Sequence, residues 1–221
     1  MTATICKPPL SPDAVLPALE EFSGGGLEPE GDYDTLEFAG VDLAGEDGRG
    51  ARFLECALRE VGLDEAVLKN ARFLSCALER VRGVGVQLAG AHLRDVELAE
   101  ARFGGVQLHG AVLERVRFVG GKFDYLNLRR ARLRDVSFEG CVLVEPDLAG
   151  AELRRVSFHD CDLRQANLAQ ATLRDVDFRG AARLDISDGF DRLAGAVVTP
   201  GQLLDLAPAL AARLGLVVAP R

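Results

Sequence analysis

Four of the five cysteines form two pairs with one separation: Cys56 with Cys76, and Cys141 with Cys161, are each twenty residues apart. Thiols repeated at a fixed interval are what disulfides or a sulfur-ligated metal would need, if the chain returned to the same place every twenty residues. The competing reading is four small buried thiols standing where alanine or valine would stand, because a free cysteine packs as a small apolar residue. No Cys-x-x-Cys spacing is present, which favours the second reading and predicts no metal. Cys6 stands apart near the start and carries no evident chemistry. Three histidines complete the set, His92, His109 and His159, and neither a phosphate-cradling glycine loop nor a dinucleotide fingerprint accompanies them, so no cofactor is expected.

The interval of twenty belongs to the whole chain. Leu133 to Cys141, Leu153 to Cys161 and Leu173 to Gly180 are near-copies, and each contains a finer period of five. Leu or Phe occupies 27 of the 29 positions ending in 3 or 8 from Phe38 to Phe178, the exceptions being Gly48 and Gly83. Two residues before each centre stands Ala, Val, Cys or Gly at 25 of 29 positions, with Leu36, Glu46, Leu126 and Pro146 as exceptions. A period of five fits neither an α-helix nor an indefinite strand. It fits a short extended piece followed by a corner. Residues two apart on extended chain point the same way, so the centre and the small residue both face inward while the residue between them faces out. Four such sides close one circuit of twenty, and successive circuits pair their backbones at about 4.8 Å. The cysteines at positions 56, 76, 141 and 161 then fall in the inward small slots.

The pattern resembles that of the pentapeptide-repeat proteins, whose repeat is written Ala-(Asp/Asn)-Leu-x-x. Ala151-Glu152-Leu153, Cys161-Asp162-Leu163, Ala166-Asn167-Leu168 and Val176-Asp177-Phe178 carry it, and the resemblance spans roughly residues 36 to 186. It implies an all-β fold, a right-handed quadrilateral β-helix, flanked here by short N- and C-terminal helices. Three segments are expected: residues 1–31 as a tail with a short capping helix, 32–198 as the β-helix of about seven to eight coils, and 199–221 as a helix for capping and dimerisation.

The ends carry their own signals. Ser11, Pro12 and Asp13 mark a helix start, with Val15, Leu19 and Phe22 on one stripe and Pro17 weakening its middle, before Gly24-Gly25-Gly26 ends it. Thr199 and Gln202 form a capping-box pattern opening a helix over about residues 200–214, stopped by Gly215. Leu203, Leu206, Leu210 and Leu214 form its stripe, and with Leu216, Val217 and Val218 this is more apolar surface than a cap alone should expose. Those four leucines are the expected dimer contact. The two degenerate pentads, centred on Gly48 and Gly83, are expected to be looser or to bulge, and Pro146 to kink its coil.

Outward columns follow by stepping twenty. Arg94, Glu114, Arg134, Arg154 and Arg174 stand beside Asp95, Arg115, Asp135, Arg155 and Asp175, which reads as a solvated salt ladder rather than an arginine grip. Gln87, Gln107, Asn127, Asp147 and Asn167 read as an amide ladder that satisfies corner backbone groups. The histidines fall on different sides of the square and cannot converge, so no catalytic site is expected. Residues 1–50 carry eleven acidic against two basic residues, while residues 51–221 are nearly neutral at 23 against 24. An acidic chain is repelled by phosphates, so direct nucleic-acid binding is not expected. No apolar run approaches membrane-spanning length and no signal-peptide pattern opens the chain, which places it in the cytoplasm. The family resemblance implies a binding protein. In its gyrase-interacting, quinolone-resistance branch a C-terminal helix joins two solenoids, and the partner implied is DNA gyrase or another type II topoisomerase protected from poisons. The alternative is a scaffold for an unrelated partner.

Overall fold

The computed structural model describes residues 16–219. They form a right-handed four-sided β-solenoid of about nine turns with one C-terminal helix. The extra turns over the sequence expectation lie at the two ends, where pairing continues outside the regular motif: Tyr33 pairs with Phe53 before it, and Val176 with Ala196 after it. The strands pair in parallel, each residue with the one a circuit later. The first two sides run together in the later coils, as His92–Ala99, Val112–Val119, Arg132–Glu139, Glu152–His159 and Thr172–Gly180. The third side is a six-stranded sheet from Arg82–Val84 to Arg183–Asp188. The fourth is held by single bridges from Asp47 to Asn167.

The Leu and Phe centres stack as expected. Phe118, Phe138, Phe158 and Phe178 lie face to face on the second side with centroids 4.5, 4.9 and 4.9 Å apart. Offset stacks of this kind add to area burial. The corners are more specific than the sequence suggested. Every position ending in 0 or 5, from Glu30 to Asp175, is left-handed with φ between +50° and +71°, and most of these residues are not glycine. A left-handed residue with a side chain costs on the order of 1 kcal/mol or more. Hydrogen bonds between coils, such as Glu55 N to Leu74 O at 2.9 Å and Glu145 N to Arg164 O at 2.8 Å, hold each corner in place.

Neither degenerate pentad bulges. At Gly48 the amide still bonds Val67 O at 2.9 Å, and Leu27 supplies the missing core volume; a methyl added to Gly48 would sit 3.2 Å from Leu27 Cδ1. Gly83 pairs in register with Phe103. The core of these coils holds a cavity of about 20 Å³ lined only by apolar side chains, among them Leu63, Leu88 and Phe103. A water would fit by volume but would find no polar partner there. Pro146 produces no kink either. The ladder between coils does not need an N–H in its slot, since the equivalent Ala66 amide turns back to Leu63 O within its own coil, while Asp147 N to Leu126 O at 2.9 Å and Asn167 N to Pro146 O at 3.0 Å keep the ladder whole.

The N-terminal helix expectation is corrected over residues 16–22; positions 11–15 lie outside the described residues. Glu20–Glu21 is a strand parallel to Leu36–Glu37, with Glu20 N bonded to Thr35 O at 3.0 Å and Phe22 N to Glu37 O at 2.8 Å. The first coil exposes backbone groups that need partners, which an extended segment supplies and a helix cannot. Phe22 then covers the coil by stacking on Phe38 at 4.2 Å. At the other end one extra residue enters near Gly180, where His159 pairs one position late, and the next coil runs on to Val198. Helix α1 (Pro200–Arg213) opens on the Thr199–Gln202 capping box. Gln202 Nε2 also donates to Phe178 O at 2.7 Å, so the cap fixes the helix to the last regular coil.

Candidate interaction surfaces

All four paired cysteines are fully buried and none is in a disulfide. Their thiols donate to backbone carbonyls, for example Cys56 Sγ to Leu54 O at 3.3 Å and Cys141 Sγ to Gly120 O at 3.0 Å. The neighbouring thiol, and then burial, pushes Cys76 and Cys141 well above the ordinary thiol range. A thiol held protonated in an apolar core is a weak nucleophile and a poor ligand, which agrees with the packing role. His92 lies on the first side, His159 on the second and His109 on the fourth, so the three are not brought together.

The outward columns are paired surfaces. Arg115 grips Asp95 through Nε at 2.5 Å and Nη2 at 2.7 Å, and Arg155 grips Asp135 at 2.5 and 2.6 Å. The Arg155 guanidinium holds the Asp135 carboxyl below its usual range. Arg134 bridges at 3.6 Å to both Glu114 and Asp135. On the fourth side the amide ladder is as read: Asn127 donates to Gln107 at 2.7 Å and Asn167 to Asp147 at 3.1 Å. Carboxyl or amide oxygens at 127, 147 and 167 accept from the amide two residues on, and Gln87 and Gln107 donate to the corner carbonyls of Gly85 and Gly105. These columns satisfy the fold's own groups.

The stripe expected on α1 is divided. Leu206 is 5 % exposed and joins the core, and Leu210 is packed against it. Leu203, Leu204, Leu214, Leu216, Val217 and Val218 are exposed, with Val217 at 93 %. Half of the proposed contact therefore caps the chain's own coil. A second exposed apolar pair, Val84 and Tyr125, lies on the third side, where the sequence reading named nothing. The signal was available in Val84 and Tyr125 as outward positions, but a single apolar residue in an outward column is common and carries little weight.

Residues 131–185 match the family described as "Pentapeptide repeat region", and residues 84–115 match "Pentapeptide repeats (8 copies)". Both stretches are pentapeptide repeats. Its fold is similar to that of a trypsin-treated variant of QnrB1, a plasmid-mediated fluoroquinolone resistance protein, at 20% identity and a TM-score of 0.55 over 91% of this chain and 98% of that one. HetL, a pentapeptide-repeat protein involved in heterocyst differentiation regulation from the cyanobacterium Nostoc sp. strain PCC 7120, aligns at 22% identity with a TM-score of 0.44 over 80% of this chain and 93% of that one. No curated protein matches the sequence. Among the described residues, no helix is long and apolar enough to cross a membrane.

Proposed function

We propose that the protein is a non-catalytic binding rod that works as a homodimer in the cytoplasm, and that its partner is a type II topoisomerase such as DNA gyrase, which it shields from poisons. The observation that carries the dimer is the apolar surface left at one end of the solenoid by Leu203, Leu204, Leu214 and the segment from Leu216 to Val218. Contiguous apolar surface of this kind marks an interaction site, and a two-fold contact uses the same patch of each chain. Leu206 and Leu210 hold the helix on its own coil and present the others outward. The partner rests on the resemblance to the quinolone-resistance branch, and the fold similarity to QnrB1, which extends over nearly the whole chain, supports it.

The test is gyrase supercoiling with and without a quinolone-type poison. Restored supercoiling in the presence of the poison supports the reading; no effect on either reaction at saturating protein overturns the partner. A scaffold for an unrelated partner is the second reading. It is favoured by the absence of any insertion between corners from Glu30 to Asp175, which leaves no projecting loop, and by the near-neutral charge of the coils.

A further inference from the structure

On the third side Arg82, Arg102 and Lys122 stand in register on adjacent coils, at about 4.8 Å spacing. Two carboxylates lie nearby and both are engaged. Asp64 Oδ1 accepts from the Val84 amide at 2.8 Å, and Asp124 closes on Lys122 at 2.7 Å. Neither Arg82 nor Arg102 forms an ion pair within 4.0 Å among the described residues. Like charges directly opposite across strands repel. Where arginines recur at the first corner, by contrast, aspartates alternate with them, as Asp95 does with Arg115.

The surface beside these arginines is bare. Gly104 carries no side chain, and the corner there is Gly85 and then Gly105, beside an open depression of about 340 Å³. Val84 stands in it 65 % exposed, and Tyr125, 59 % exposed, occupies the same corner one coil beyond Gly105.

We propose that this depression is a docking site for an acidic segment of a partner protein, in which a carboxylate bridges Arg82 and Arg102 and a neighbouring apolar side chain lies over Val84. A guanidinium fork matches a carboxylate in geometry and charge. One bridging carboxylate also removes the repulsion between the two stacked cations. The apolar residues beside the cations favour a protein segment over a free inorganic anion. A nucleic-acid strand is disfavoured because its further phosphates would extend past this patch onto near-neutral coils, 23 acidic against 24 basic residues over 51–221, that offer them no basic track, whereas a short acidic segment needs only the patch. The proposal stands independently of the topoisomerase reading.

The experiment is fluorescence anisotropy with the full chain and a labelled octapeptide of six glutamates and two leucines at low salt. Saturable binding is expected, weakened about tenfold or more by R82A/R102A and left unchanged by R154A/R174A, another in-register arginine pair on the first side. Val84→Glu, which places a carboxylate in the depression from an exposed position, should abolish binding in the same way and serves if the double variant fails to fold. No saturable binding by the unmodified protein overturns the proposal. So does equal loss in R82A/R102A and R154A/R174A, or a labelled oligothymidylate of the same charge binding as tightly as the peptide.

Discussion

At the scale of single residues, the outcome of a substitution depends on which slot of the pentad it enters. Gly121 shows this most sharply. It occupies an inward small slot with φ +85°, and a methyl group there would lie 2.3 Å from Ala101 O. Gly110 has φ +67° at a corner with open space around it. Gly121→Ala should therefore cost roughly 2–4 kcal/mol, since backbone must move, and Gly110→Ala only about 1 kcal/mol. Denaturant midpoints of the two variants check this, and equal losses would contradict the difference. Asp135 gives a pH dependence. Its carboxyl is held below the ordinary value by Arg155, so its contribution is present above the unfolded carboxyl pKa of about 3.9 and is lost as pH falls through the lower folded value. Asp135→Asn should cost roughly 0.5–1 kcal/mol at pH 7. The gap between variant and parent should close on acidification below about pH 4, which urea titrations at several pH values would follow.

At the scale of elements, the ends differ from the middle. Interior coils are held on both faces, whereas the terminal coils depend on an extended strand at one end and on α1 at the other. Leu206 and the Gln202 side chain tie α1 to the last coil. Leu206→Ala should cost about 2–4 kcal/mol, expressed as early loss of the last coil rather than as uniform destabilisation. Native-state hydrogen exchange would show it: the amides from Ala196 to Leu203 should exchange faster in the variant while those of Arg132–Glu139 keep their protection. Uniform acceleration throughout would mean that the solenoid unfolds as one unit.

At the scale of the whole molecule, about nine coils at 4.8 Å give a rod about 43 Å long. Two rods joined through their C-terminal helices would extend on the order of 90 Å or more. Because Leu206 belongs to the chain's own core, the substitutions that test this assembly are at the outward positions. Leu203→Glu with Leu214→Glu should yield a folded monomer, since charges at a buried contact oppose association while the core is untouched. Light scattering alongside circular dichroism measures both properties. A wild-type monomer at micromolar concentration would rule the interface out.

The coil itself was legible in the sequence because a period of five, repeated without insertion from Phe38 to Phe178, leaves one arrangement that buries the Leu and Phe centres of the pentads on a short closed circuit. The inward cysteines and the amide ladder followed from that register alone, and the Thr199 cap from its spacing to Gln202. What required the tertiary structure was each place where a group's partner lies a circuit away or beyond the repeat. Backbone bonding between coils decides that the fifth residue of each pentad is left-handed whatever its side chain, and that Pro146 sits without a kink because the amide of its slot takes no part in the ladder between coils. The open edge of the first coil decides that residues 20–21 extend rather than coil into a helix. Packing against the last coil decides which leucines of α1 are buried, a division that periodicity cannot make because both sets lie within one broad apolar face and only the position of the solenoid beneath it separates them.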